Sequence, residues 1–250
     1  MRTKIAIRNL VISQAIILSF LLFAYLVWFP HSFSDLGGFK DTALMLIFID
    51  LILGPLLVFI IYKKDKKYLL FDINVLLAFQ LGAFIYGAYS LYLKHPAYAV
   101  FNGNQFVITN VSQVYPQPSW QEQLKTFFFA SPNLVITKPP EDADKKTEMI
   151  VSIMLGSTPR IESQPEYYKP FKQYYKEIPT NNISMNLLFN DVISKNGLKQ
   201  FLKMHGGSQD DYDYFPLTGN NKKEMVWAFK RGKPQPIGII ESTIETSKTL

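Results

Sequence analysis

Cysteine is absent from the chain, which excludes disulfides, thiolate nucleophiles, cysteine-based zinc sites and a lipoprotein anchor. Histidine is almost as scarce. His31, His95 and His205 are scattered, and a metal site between His31 and His95 would also need closely placed carboxylates. The chain holds no Walker loop, dinucleotide glycine fingerprint, G-x-S-x-G elbow or H-E-x-x-H motif. No metal or cofactor is therefore expected. An internal repeat and a long low-complexity linker are missing as well. His205-Gly206-Gly207-Ser208 reads as a helix C-cap, since glycine tolerates the left-handed conformation, in preference to an oxyanion-hole turn. Asp210, Asp211 and Asp213 lack the longer ordered ligand set of a calcium loop and read as a solvated acidic turn.

Charge of one sign is not concentrated either. The net charge of +6 divides into nine Lys/Arg against five Asp/Glu over residues 1–94 and seventeen against fifteen over the remainder. The later part has no dense basic stripe, so nucleic acid is not an expected partner. The excess in the earlier part flanks apolar runs, where it carries topological meaning.

Those runs are the strongest signal present. The first spans Leu10–Phe29, twenty residues without a charge. The second covers about 42–62 and holds Asp50; the third covers about 69–93 and holds Asp72 near its start. Each is long enough at about 1.5 Å per residue to cross a hydrocarbon core of about 30 Å. The first exceeds a signal-peptide core and ends in Val27-Trp28-Phe29-Pro30, not in small residues, so it reads as an uncleaved helix. The expected fold class is a membrane anchor of three transmembrane α-helices (residues 1–94) followed by an α+β extracytoplasmic domain (95–250). Arg2, Lys4 and Arg8 before the first run, and Lys63, Lys64, Lys66 and Lys67 between the second and third, place those loops in the cytoplasm by the positive-inside rule. The expected location is the cytoplasmic membrane, multi-pass, with the later domain on the far side, which in a Gram-negative cell is the periplasm, and with the lipid bilayer as one partner.

Polar residues inside apolar runs need reasons. A charged carboxylate at the position of Asp50 costs about 2.5–3.5 kcal/mol on insertion scales. Gly54-Pro55 follows one turn later, and Pro55 cannot donate to the carbonyl of Leu51, so a kink is expected. Asp50 therefore reads either as a contact to a partner's helix or as an internal hydrogen bond, protonated or bonded to Gln14 or Gln80. Asp72 lies in the first turn of its helix, where the dipole and Lys66 or Lys67 stabilise it. Ala78/Gly82 and Ala83/Gly87 are pairs of small residues four apart, which permit close helix approach.

From His95-Pro96 onward the pattern changes. Tyr98–Phe101 and Phe106–Thr109 read as a hairpin about Asn102-Gly103. Helices are expected at 117–130 (capped by Ser119 with Glu122), 142–155, 166–178 and 185–204, and strands at 133–137, 212–217, 223–230 and 236–243. Tyr167, Tyr168, Tyr174 and Tyr175 fall in one of these helices and read as a core face or a protein-binding face.

Asp50-Leu51-Ile52-Leu53-Gly54-Pro55, the lysine loop, Phe71-Asp72, Gln80, Tyr86-Gly87, His95-Pro96 and Phe215-Pro216-Leu217-Thr218-Gly219 occur in an order and spacing that resembles the type IV pilin accessory proteins of Gram-negative bacteria, the TfpX/TfpZ family. One departure is His95, where that family usually has arginine. The resemblance implies an inner-membrane accessory protein, not an enzyme. It would act with the major type IV pilin and other pilus-assembly proteins, in pilin stability, pilus assembly or surface piliation. Asp50, Gly54, Pro55, Gln80, Tyr86 and Gly87 are then expected to shape a surface for a partner helix, with Asp72, His95 and Pro96 close to the membrane. The rival expectations are a membrane-anchored ligand-binding or sensor module, or an envelope- or pilin-modifying enzyme built on Glu162, Glu166 and Asp191.

Overall fold

A stretch rich in leucine and isoleucine, uncharged after Arg8 and with no proline before Pro30, carries helix α1 over Arg2–Val27. The amides of Trp28 and Phe29 both donate to the carbonyl of Ala24, at 2.8 and 3.0 Å, and close the helix. These coordinates are a computed structural model, which describes residues 2–30, 33–36, 38–61, 69–126, 132–178, 189, 192–219 and 224–241. They fall into two units, the first ending at His95 and the second opening at Pro96.

The first unit continues with α2 (Phe33–Leu36), α3 (Phe39–Ile61) and α4 (Leu69–Lys94). Asp41 in the first turn of α3 and Lys94 in the last turn of α4 complement the helix dipoles. α1 packs on α3 and α3 on α4. The rings of Phe20 and Phe84, 5.3 Å apart, bring α4 against α1 as well.

The expectation of three transmembrane helices is not upheld. Among the described residues a single helix is long and apolar enough to cross a membrane, α1 over Leu10–Val27, with a mean hydropathy of 2.4. An apolar run of twenty residues signals burial without saying in what. In α3 and α4 part of that apolar surface is spent on neighbouring helices: Leu46 of α3 lies where a Cβ on Gly87 of α4 would come within 2.7 Å of it. The lysine loop and His31 lie outside the described residues.

The second unit was expected to be α+β; it is an α/β unit built on a mixed seven-stranded sheet. The strands are β1 (Pro96–Phe101), β2 (Phe106–Asn110), β3 (Asn133–Thr137), β4 (Tyr168–Pro170), β5 (Tyr212–Thr218), β6 (Glu224–Lys230) and β7 (Pro236–Glu241), in the order β4-β3-β1-β2-β5-β6-β7. β1 pairs with β3 and β2 with β5 in parallel, and the other pairs are antiparallel. Parallel neighbours require crossover connections, which local hairpin signals do not reveal. The β1–β2 hairpin is present, with Phe101 opposite Phe106. Its loop is longer than an Asn-Gly turn: Asn102 Oδ1 accepts from the amides of Asn104 and Gln105, at 3.4 and 3.3 Å, and Gly103 takes φ 108°.

Helices α5 (Trp120–Thr126), α6 (Ala143–Met154), α7 (Phe171–Tyr174) and α8 (Val192–His205) complete the unit. Ser119 and Glu122 form the expected capping box, with Ser119 N 2.8 Å from Glu122 Oε2. Asp142 caps α6 by accepting from the amide of Lys145 at 2.9 Å. The helix expected over 166–178 is broken into a 3-10 turn (Pro165–Tyr167), edge strand β4, α7 and a second 3-10 turn (Tyr175–Glu177). Pro170 is the cause: it cannot donate within a helix, yet it is tolerated on a sheet edge.

β6 is covered on both faces. Trp227 and Phe229 meet Phe106 at ring-centroid distances of 5.1 and 5.6 Å, while Val226 and Ala228 join Phe201, Leu198 and Ile240 beneath α8. α8 comes close to β7, because a Cβ on Gly197 would lie 2.9 Å from Ile240 Cγ2.

Candidate functional site

Two helices supply the centre of the site. Asp50 projects from α3 and is nearly fully buried. Its Oδ2 lies 2.6 Å from Ser13 Oγ and accepts from Gln14 Nε2 at 3.0 Å, both on α1. Two neutral donors thus satisfy one oxygen of the carboxyl group, at about 1 kcal/mol for each hydrogen bond. The internal bond to Gln14 is present; the bond to Gln80 is not among those formed. Ser13 was not anticipated, although it interrupts the first apolar run as visibly as Gln14 does.

Asp50 and Gln80 both line a cleft of about 90 Å³, walled by Ile17 of α1, Leu46 and Ile49 of α3 and Ala83 and Phe84 of α4. Gln80 Nε2 is buried in this cleft and finds no hydrogen-bond partner among the described residues. Leaving such a donor unsatisfied costs about 1–3 kcal/mol. Tyr86 and Gly87 also border the cleft, but in different ways. Gly87 is pressed against Leu46, whereas the ring of Tyr86 is 73% exposed. The two small-residue pairs therefore separate: Ala83 and Gly87 face α3, while a Cβ on Gly82 would meet nothing within 4 Å. Thr42 closes one side, donating to Gly38 O at 3.3 Å and accepting from Lys94 Nζ at 2.9 Å.

Of the remaining expected residues, His95 and Pro96 are not among those that line the cleft. Gly54 and Pro55 lie within α3 and Asp72 within α4, and the surroundings of their side chains lie outside the described residues. His95 is buried in an aromatic box, stacked on Trp28 at 5.5 Å and against Tyr92 at 5.0 Å. Its Nδ1 lies 2.6 Å from Tyr92 O, which fixes the neutral tautomer with the proton on Nδ1. Burial pushes the imidazole down to about 4, against a smaller upward pull from that hydrogen bond. His95 therefore supplies no positive charge at neutral pH. Pro96 is buried and opens β1 opposite Asn110.

The secondary candidates resolve into structure. Gly206 and Gly207 take φ of 75° and 79°, and Gly206 N donates to Leu202 O, which is the expected C-cap of α8. The acidic trio is divided. Asp211 accepts from Ser208 N and Oγ, which holds its carboxyl below the usual range, while buried Asp213 accepts from Tyr175 Oη at 2.6 Å and pairs with Arg231 Nε at 3.4 Å. The four tyrosines do not share a helix face: Tyr168 packs on Tyr98, and Tyr174 lies under Lys138 Nζ at 4.3 Å. Glu162 and Glu166 belong to separate 3-10 turns, and Asp191 lies outside the described residues. The described residues contain no group of three or more side chains able to hold a metal ion.

Fold and site together define a two-unit protein: a helical unit with an apolar N-terminal helix and an apolar cleft bordered by Asp50 and Gln80, and an α/β unit on a mixed sheet. In sequence it is similar to a fimbrial assembly protein, serogroup I, of Dichelobacter nodosus, 23% identical over 208 residues, 81% of this chain and 80% of that protein. It is also similar to a fimbrial assembly protein, serogroup E1, of the same organism, 22% identical over 229 residues and 89% of this chain and 88% of that protein. A third, for serogroups C1 and C2, is 35% identical over 79 residues, 31% of this chain and 60% of that protein. No family model matches the chain, and no solved structure matches it.

Proposed function

We propose that this protein is an accessory factor of type IV pilus biogenesis that acts beside the major pilin at the cytoplasmic membrane. The observation that carries the reading is the similarity to fimbrial assembly proteins along four-fifths or more of the chain, which supports a role in pilus biogenesis. α1 is the membrane attachment. Arg2, Lys4 and Arg8 at its start favour a cytoplasmic N-terminus, so that the second unit works on the far side. The role is binding, and no catalytic step is assigned to it.

The cleft between α1, α3 and α4 is the contact proposed for pilin. Its walls are apolar and suit a helix, and the buried amide of Gln80, which finds no acceptor among the described residues, would be satisfied by one on a bound helix. Asp50 is held by Ser13 and Gln14, which fixes it at the cleft edge. A photo-crosslinker placed at position 50 or 80 in cells that make pilin tests this. Capture of pilin is the expected result; capture of nothing but the protein's own helices would overturn the assignment. Deleting the protein and measuring total pilin beside surface pili then separates an effect on pilin stability from one on assembly.

A further inference from the structure

Helix α6 divides its residues along its axis, with its charges at one end and its exposed apolar side chains at the other. Asp142, Asp144, Lys145, Lys146 and Glu148 occupy its start, and no charge follows until Arg160. The end is Met149-Ile150-Val151-Ser152-Ile153-Met154-Leu155, yet of these only Met149 is buried. Ile150 and Val151 are exposed, and Met154 and Leu155 stand 81% and 76% open. A helix that docks in a protein groove carries its apolar residues as a stripe along its length. A helix polar at one end and apolar at the other matches a boundary that it meets end-on, with water on one side and hydrocarbon on the other.

The backbone of this tip is prepared for such a boundary. The last four carbonyls of a helix have no partner within the regular helix and must find one elsewhere. Here Val151 O accepts from Leu155 N at 2.9 Å, Ser152 O from Ser157 N at 2.9 Å and Ile153 O from Gly156 N at 3.1 Å, with Gly156 at φ 72° making the reversal. Ser152 Oγ and Thr158 Oγ1 lie 2.9 Å apart, so each hydroxyl has a partner too. Ile150–Leu155 rises about 8 Å along the axis, which matches the roughly 5–10 Å depth to which apolar side chains enter a membrane interface.

We propose that the C-terminal tip of α6 (Ile150, Val151, Met154 and Leu155) inserts into the interfacial layer of a lipid bilayer. The inference rests on the membrane attachment proposed for α1, because a tether keeps the tip at high local concentration near the bilayer. The test uses the full chain in vesicles of phosphatidylcholine and phosphatidylglycerol. Since the chain has no cysteine, Leu155→Cys, Lys146→Cys and Leu18→Cys each take one environment-sensitive nitrobenzoxadiazole label. Position 155 is exposed, so the label does not disturb packing. Nitroxide on the lipid acyl chains is expected to remove about half or more of the emission at 155 and leave 146 unquenched. A label at 155 that stays in water, or that is shielded without lipid quenching because a second copy or another protein covers it, overturns the inference. Position 18 reports on α1 separately: lipid quenching at 18 without quenching at 155 sinks only the tip, and no quenching at 18 sinks the attachment reading.

Discussion

His95 makes the stability of the first unit depend on pH, and the size of the effect follows from its surroundings. The ring is enclosed by Trp28 and Tyr92, and its proton on Nδ1 is held by Tyr92 O. Burial lowers its folded value from 6.5 to about 4. As pH falls through 6.5 the unfolded chain takes up a proton that the folded protein refuses, so the unfolded state is favoured. The stabilisation is therefore complete above pH 6.5, is lost progressively down to about pH 4, and changes no further below that. At about 1.4 kcal/mol per pH unit for one proton, the whole loss is about 3 kcal/mol. His95→Phe keeps the stack on Trp28 but removes the titration. The assay is thermal unfolding of both proteins in detergent from pH 8 to pH 4, with the imidazole resonance of His95 followed in parallel by NMR. The wild-type protein is expected to lose about 3 kcal/mol relative to His95→Phe across that interval. A His95 resonance that titrates near 6.5, or parallel stability curves for the two proteins, would refute the argument.

Other expectations can be checked in the same preparation. Gly87→Leu forces a side chain into Leu46 and should cost about 1–3 kcal/mol in thermal melts, with Leu46→Ala restoring part of the loss. Gly82→Ala, in open surroundings on the same helix, should instead raise stability by up to about 1 kcal/mol. Gln80→Leu removes an unsatisfied donor, so the isolated protein should be as stable or more stable while recovery of pilin in detergent pull-downs falls. In the second unit, Arg231→Met leaves the buried carboxylate of Asp213 without its cation and should cost about 2 kcal/mol after allowance for the exposure of Arg231. Tyr175→Phe should cost about 1 kcal/mol, and equal losses from the two changes in chemical denaturation would argue against the pairing.

What the sequence revealed and what it hid divide along a physical line. Interactions between residues a few positions apart were legible: the Ser119–Glu122 cap, the β1–β2 pairing and the glycine stop after His205 all rest on local chemistry. Pairings set by distant residues were not. The parallel neighbours β1/β3 and β2/β5 leave no mark in either strand alone, and they turn an expected α+β unit into a mixed α/β sheet. Pro170 was visible, but its power to break a tyrosine-rich helix depended on the edge of β3 being free to accept a short strand. The apolar runs failed for a related reason, since hydropathy measures a demand for burial and does not say whether a neighbouring helix or lipid meets it.

The cleft lies on both sides of that line. Asp50, Gln80 and Gly87 stood out because each is costly or unusual in an apolar helix. The environment divides what the sequence grouped. Gly87 is consumed by Leu46, and Asp50 is satisfied by Ser13 and Gln14. Both are thereby explained by the protein's own packing, and neither needs a partner. Of these three residues, only Gln80 keeps a buried donor without an acceptor among the described residues. A residue that stabilises its own fold is expected to have its hydrogen bonds made, and one that does not must be repaid by something it binds. The discriminating position for partner recognition is therefore 80 more than 50: Asp50→Asn should affect chiefly the packing of α1 on α3, whereas Gln80→Leu should leave that packing intact and weaken capture of pilin.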